Sequence, residues 1–243
     1  MRAAIDLHIH TALSPCADDD MTPNNIVGMA WLKGLDIIAV TDHNAAMNCE
    51  AVMECAKEKG ILFIPGMEVE SSEEVHLVCL FPCIESVLKM QDIIHAALPN
   101  IENREDIFGK QVVMDKNDNV VGYFPKLLIN AAGLGIDVIF SEVDKLGGVT
   151  IPAHVDRDSY SIISNLGIIP EYLEIKTLEI SRDTDLKKYI ERNPHLKPYS
   201  FIRSSDAHHL GDILERESYI DLEELSARCL IDTIKKGIKM PAA

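Results

Sequence analysis

The chain has 243 residues, a hydrophobic fraction of 47% and a formal charge of −16 at pH 7. That size and apolar content suffice for a buried core, while the acidity argues against a protein that grips nucleic acid across a broad basic face. No apolar run approaches the roughly 20 residues of a membrane crossing, and the start Met1-Arg2-Ala3-Ala4-Ile5-Asp6 reaches charge too early for a secretory leader, so a cytoplasmic location is expected.

In chain order, Ala3 to Ile9 reads as a strand. Thr22-Pro23 is a helix start, a capping hydroxyl followed by proline at the first helical position, and the helix runs to about Lys33 and ends at Gly34. Asp36 to Thr41 is a continuous apolar strand, the pattern of burial on both faces. A helix over about Ala45 to Lys59 stops at Gly60, and Ile61 to Pro65 and Val75 to Phe81 are the next strands. A helix near Ile84 to Ala97 follows.

From about 99 to 148 the rhythm changes. Gln111 to Phe124 reads as a hairpin turning at Lys116-Asn117-Asp118-Asn119, with helical pieces near Pro125–Leu134 and Ser141–Leu146. Strand–helix alternation resumes with Val149–Ala153, Tyr172–Ile175 and Tyr199–Arg203, and an amphipathic helix from about Leu222 to Lys236 closes the chain. The whole reads as one α/β domain over 1–243 with an insertion at about 99–148, too small for a core of its own. The six cysteines, at 16, 49, 55, 79, 83 and 229, form no disulfide framework and are expected reduced.

Histidines and carboxylates fall at the downstream ends of these strands. His8 and His10 close the first, Asp42-His43 the second, Glu68 follows the third, His154 follows Ala153, and Asp206 and His208 follow Arg203. In an α/β barrel those ends converge on one mouth. Residues two apart on a strand share a face, so His8 and His10 can grip one ion, and Asp206 and His208 repeat the spacing. Each pair alone is a weak signal; their joint occurrence carries the reading. Mixed imidazole and carboxylate donors suit zinc, manganese or iron. Two ions about 3.5–4 Å apart can hold a bridging hydroxide, a nucleophile that needs no serine or cysteine.

These residues resemble the PHP (polymerase and histidinol phosphatase) domain family. The resemblance rests on Asp6-Leu7-His8-Ile9-His10-Thr11, Thr41-Asp42-His43-Asn44, Gly66-Met67-Glu68-Val69, Val75-His76-Leu77, Ala153-His154-Val155-Asp156-Arg157 and Ser205-Asp206-Ala207-His208, in that order. It is closest to the small stand-alone phosphoesterases and covers the chain outside 99–148. It implies a distorted TIM-like (β/α)7 barrel and a trinuclear centre of divalent zinc, manganese or iron. One ion takes His8, His10, Glu68 and Asp206; a second shares Glu68 and adds His76 and His154; the third takes His43, His208 and a residue after the first His-x-His.

That last slot departs from the family, many of whose small members carry Ser-Asp-Gly there. This chain reads Ser14-Pro15-Cys16-Ala17-Asp18-Asp19-Asp20. Counting back from Thr22-Pro23 places Asp18 in the slot, with Cys16, Asp19 and Asp20 as alternatives; a thiolate at Cys16 would favour a softer ion such as zinc. His209 is a candidate general acid or a rim residue. Asp42 is a candidate to orient a metal-bound imidazole, and Arg157 to hold a substrate phosphate or simply a surface partner. Glu70 shares the face of Glu68, while His95 and His195 read as ordinary.

The implied activity is hydrolysis of a phosphate ester in a small anionic substrate, a nucleotide-like monoester or a short oligonucleotide. A histidinol-phosphatase-like enzyme, a non-catalytic metal-binding module and an amidohydrolase-type barrel are the rival readings. The last usually wants a bridging lysine, and no lysine stands at a strand end. The inserted segment is expected over the mouth as a lid or wall, or at a dimer contact.

Overall fold

The computed structural model describes residues 1–238. Strand β1 (Arg2–Ile9) leads through the loop at 10–22 into helix α1 (Pro23–Leu32), capped by Thr22, whose hydroxyl accepts from Asn25 N. Strand β2 (Ile37–Val40), helix α2 (Cys49–Lys59) and strand β3 (Leu62–Glu70) follow. Next come β4 (His76–Leu80) and α3 (Ile84–Ala97). The sheet order continues from β4 directly to β7 (Val149–Pro152), with α4 (Glu105–Phe108), β5 (Val112–Met114), β6 (Val120–Tyr123) and α5 (Ile136–Lys145) between them in the chain. Beyond β7 lie α6 (Ile162–Leu166), β8 (Thr177–Ser181), α7 (Leu186–Arg192), β9 (Ser200–Ser204), β10 (Tyr219–Asp221) and α8 (Ala227–Lys236).

The main sheet is ordered β10-β1-β2-β3-β4-β7, and β8 and β9 form a parallel pair beside it. That pair bonds to β7 at one side and β1 at the other: Val155 N donates to Glu179 O at 3.0 Å past the end of β7, and His10 N to Ala207 O at 2.9 Å past the end of β1. The result is a mixed α/β fold around a curled half-barrel. Within the run from β1 to β4 it departs from strict strand–helix alternation in one place. Strand β4 runs antiparallel to both β3 and β7, and a tight turn replaces the helix between β3 and β4. Reversal matters for the site, because it brings the first residue of β4, His76, to the same end as the last residues of the parallel strands.

Two cores lie on the two faces of the sheet. Ile38 and Val40 pack with the helices, while Ile37 and Ala39 pack on the opposite face with Leu230, Ile231 and Ile234 of α8. Strand β2 is therefore buried on both faces, as its unbroken apolar run requires. Strand β3 passes straight through Pro65-Gly66 instead of stopping there. Gly66 is required: a Cβ would stand 2.8 Å from Thr41 Cγ2 and 3.1 Å from Cys79 O.

Four sequence expectations are corrected. Tyr172–Ile175 is not a strand, and the strand lies at β8. Pro125–Leu134 is not helical; its backbone is committed to neighbours, with Leu127 N on Ile101 O and Ala132 N on Glu70 O. Helix α2 begins four residues late, after a loop in which Asn44 adopts φ 50°. Helix α8 is preceded by the short edge strand β10, paired antiparallel to β1.

Candidate metal centre

Glu68 is the hub. It sits 1% exposed on β3, and five imidazoles approach its two oxygens. His8 Nε2, His76 Nδ1 and His154 Nε2 lie 3.4, 2.9 and 3.3 Å from Oε1, and His10 Nε2 and His43 Nδ1 lie 3.4 and 3.0 Å from Oε2. Asp206 Oδ1 adds a second carboxylate 3.2 Å from His8 Nε2 and 3.0 Å from His10 Nε2. Donor atoms converge in three overlapping groups: His8, His10, Glu68 and Asp206; His43, Glu68 and His76; His10, His43 and His208.

The tautomers follow from the partners. Glu179 can only accept, so His8 Nδ1, at 3.0 Å, carries a proton and leaves Nε2 as a lone pair. Ser14 Oγ gives its hydrogen to Asp42 at 2.7 Å, so at 2.9 Å it must accept from His10 Nδ1. His208 Nδ1 donates to the Asp206 carbonyl at 2.9 Å. The Nε2 atoms of His8 and His10 thus face each other at 3.2 Å in a buried pocket. Two nitrogens on one ion at about 2.0–2.1 Å each, at a tetrahedral angle, stand roughly 3.3 Å apart.

Neither Glu68 oxygen and neither His154 nitrogen has a hydrogen-bond partner. Buried polar atoms without partners cost about 1–3 kcal/mol each. Cations between these lone pairs remove that cost, so the residues present fit divalent metal ions. Three non-glycine residues around the cluster hold positive φ: Asn44 at 50°, His154 at 29° and Asp206 at 51°. Such strain gathers at functional sites.

The electrostatics agree. Burial would push the Glu68 carboxyl up, but His76, His8 and His43 outweigh it and hold it well below the carboxylate range. Burial likewise opposes the charge on His8, yet Glu179, Glu68 and Asp206 hold its pKa well above the imidazole value. His10 is driven well below that value by burial and by repulsion from His208 and His43. Desolvation would raise the Cys16 thiol, but the neighbouring His208 and His43 bring it down to about 6, on a residue that is itself exposed.

The PHP domain model matches residues 6–176, more than half of the chain. The chain belongs to the PHP domain family. An uncharacterized protein of Methanocaldococcus jannaschii is 29% identical over 166 residues, 68% of this chain but 18% of that protein. The 3',5'-nucleoside bisphosphate phosphatase of Chromobacterium violaceum is 33% identical over 81 residues, 32% of this chain and 27% of the phosphatase. This PHP chain thus matches well under half the length of either relative. The lesion-specific endonuclease Q of Pyrococcus furiosus superposes with a TM-score of 0.66 at 20% identity, covering 99% of this chain and 58% of the endonuclease, a likeness of fold.

Within this PHP chain, eight of the sequence-selected residues meet: His8, His10, His43, Glu68, His76, His154, Asp206 and His208. Asp18 does not join them. Its carboxylate accepts from Asp20 N at 3.0 Å, lies 3.3 Å from His209 Nδ1 and is exposed. His209 itself is 65% exposed on the rim. Arg157 Nη1 holds Asp206 Oδ2 at 2.7 Å with its side chain 44% exposed. Asp42 faces away from the donor atoms, accepting from Thr11 N, Thr11 Oγ1 and Ser14 Oγ, so it reaches His10 only through Ser14. Glu70 stands 3.8 Å from His76 Nε2. His95 Nε2 meets the Asn44 carbonyl at 3.0 Å and so helps hold the strained turn after His43.

Sequence reasoning missed Glu179. It is buried on β8, bonds to His8 Nδ1 and also accepts from His154 N at 3.1 Å, so one carboxylate sets two metal-facing histidines. Its signal was a lone glutamate inside an apolar run, Thr177-Leu178-Glu179-Ile180. Among the described residues no helix is long and apolar enough to cross a membrane.

Proposed function

We propose that this chain is a metal-dependent phosphoesterase acting on a small anionic substrate, a nucleotide-like phosphomonoester or a short oligonucleotide. The observation that carries the reading is the buried Glu68 carboxylate, unpartnered and ringed by five imidazoles at the sheet mouth. The phosphatase and endonuclease named above act on phosphate esters, which supports the reaction class. We further read β1, β2, β3, β4, β7, β8 and β9 as a distorted seven-stranded barrel, closed by the bonds of the β8–β9 pair to its neighbours.

His8, His10, Glu68 and Asp206 would hold one ion, Glu68, His76 and His154 a second, and His43 and His208, with a residue of the loop after His10, a third, of the zinc, manganese or iron class. When bound, divalent ions at such a site polarise phosphoryl oxygens and lower the pKa of water. The chain's own groups do the rest. Glu179 and Ser14 fix the rings of His8 and His10, and Asp42 fixes Ser14. Arg157 exchanges Asp206 for a substrate phosphate oxygen, a charge-assisted contact on the open side of the pocket. His209, exposed on the rim, is the candidate to carry a proton to the leaving alkoxide.

The inserted hairpin walls the mouth on the side of the loop after β1. Val112 N donates to Ala12 O, and Asn48 bonds Val112 O and Met114 N. The test is steady-state turnover with manganese on phosphomonoesters against phosphodiesters. Turnover on either, abolished by chelation, is expected; no turnover on both panels sinks the proposal.

A further inference from the structure

We propose that Tyr160 is the floor of a base-binding subsite at the mouth of the metal centre, where its ring stacks on the nucleobase of a substrate whose phosphate meets the ions and Arg157. The assignment rests on the phosphoesterase reading above and specifies its substrate, which then carries a planar aromatic group beside the scissile phosphate.

The loop after β7 carries both groups. It begins at His154 and reaches the N-cap of α6 at Ser161. Within it Arg157 meets Asp206 on one flank of the cluster, and Tyr160 meets His76 on another. The Tyr160 and His76 rings are stacked, with centroids 4.8 Å apart and 26° between their planes. His76 in turn meets His154 edge-on and places Nδ1 2.9 Å from Glu68. One face of the phenol is therefore spent on a metal-facing imidazole, while 46% of the residue is open to solvent.

The backbone is arranged to hold that ring in place. Tyr160 has a φ of 56°, a left-handed conformation that glycine adopts freely and a bulky residue rarely does. A large ring retained at such a position points to a use for its side chain. The Tyr160 carbonyl accepts from His76 N at 2.9 Å, so ring and backbone are fixed to the same residue of β4. The next residue, Ser161, closes a capping box with Ser164 and donates from Oγ to the Arg157 carbonyl at 2.9 Å. Asn165 ties α6 to the carbonyls of Glu73 and Glu74, and Asp156 accepts from Ser181 N at 3.0 Å at the end of β8. Arg157 and Tyr160 are thus presented by one loop braced at both ends.

The chemistry of the pair selects the ligand. A guanidinium takes a phosphate oxygen, and an open phenol face takes a planar ring in offset stacking. Every base has such a face, so stacking adds affinity without naming the base. The subsite therefore favours nucleotides as a class over sugar phosphates of the same charge.

The test titrates the zinc-loaded full chain by calorimetry with hydrolysis-resistant methylenephosphonate analogues of adenosine monophosphate, uridine monophosphate and ribose 5-phosphate. Metal analysis accompanies each preparation. The unmodified protein is expected to bind both nucleotide analogues about 10-fold tighter than the sugar phosphate, in the lower part of the range for a stacked base. Tyr160→Ala should lose that preference and Tyr160→Phe should keep it. Both variants should retain the metal content and the sugar-phosphate affinity of the unmodified protein, which also shows that the fold survives. Equal or undetectable binding of the three ligands to the unmodified protein, a preference that survives in Tyr160→Ala, or its loss in Tyr160→Phe overturns the subsite. Loss of ions in Tyr160→Ala overturns it too, because the ring would then be a prop for His76. Binding is read without turnover, so a failure of the phosphoesterase reading on the ester panels leaves the base preference separately measured.

Discussion

The centre has two halves built by different means. Around Glu68, most donor side chains come from strands or the residues just past them and are buried, with the rings of His8 and His10 fixed by Glu179 and Ser14. Around His208, the groups come from loops, His208 itself is partly exposed, and the segment after His10 is folded by turns. The strand-borne half is rigid because its backbone hydrogen bonds are spent within the sheet. The loop-borne half is defined by a few contacts, among them the turn bonds of Ala17 N to Ser14 O and Met21 N to Asp18 O.

The largest expected effect lies in the rigid half. Glu68→Gln leaves five imidazoles facing a neutral amide. Breaking a buried charge partnership costs about 3–5 kcal/mol, or about 10²- to 10⁴-fold in ion affinity. Metal analysis and turnover on the same preparation read it; a variant that keeps its ions would break the claim that Glu68 is the hub.

The second effect is on pH. Burial would lower His8, His43 and His76, but Glu179 with Glu68 raises His8, and Glu68 raises His43 and His76, above the imidazole value in the metal-free protein. Their contribution to stability is full below about pH 6.5 and is lost as pH rises through the raised values. Ion affinity moves the other way, by up to about 10-fold per pH unit for each proton displaced. Melting of the chelated protein and zinc competition between about pH 6 and 9 should therefore slope oppositely; parallel slopes would contradict the assignment of these imidazoles as both charged and ligating.

Glu179→Gln should lower ion affinity by about 10- to 100-fold, the usual effect of removing a carboxylate behind a metal-bound imidazole. The fold should persist, which circular dichroism checks. The smallest effect belongs to Arg157→Ala. A charged hydrogen bond is worth about 1.5–3 kcal/mol, discounted here for exposure, so kcat/KM should fall about 10-fold through KM with metal content unchanged. Loss of ions in this variant would move Arg157 from substrate to scaffold.

The same contrast governs what the sequence revealed. His8, His10, Glu68, His154 and Asp206 were legible because strand period and strand ends place them, and because β2 is an unbroken apolar run. Helix α3 followed from its amphipathic spacing. Strand β8 and Glu179 were lost together: the buried carboxylate interrupts the apolar run that marks a strand, while Tyr172–Ile175 mimics one on the surface. Asp18 was selected by counting along a loop, and counting cannot see that Pro15 opens one turn and Asp18 another. The reversal of β4 left no local mark, because a strand reads alike in either direction.

Gly109 presses on the Pro15 carbonyl so closely that no Cβ fits there, which limits how this protein can be rebuilt by recombination. The hairpin is sutured to the loop after β1, to Asn24 at the start of α1 and to Asn48 before α2. A chimera that imported only another protein's inserted segment would set a foreign turn, or a side chain at 109, against the carbonyl that precedes Cys16. The exchangeable module is therefore two pieces far apart in the chain, the hairpin and the 11–22 loop, which must be swapped as one cassette.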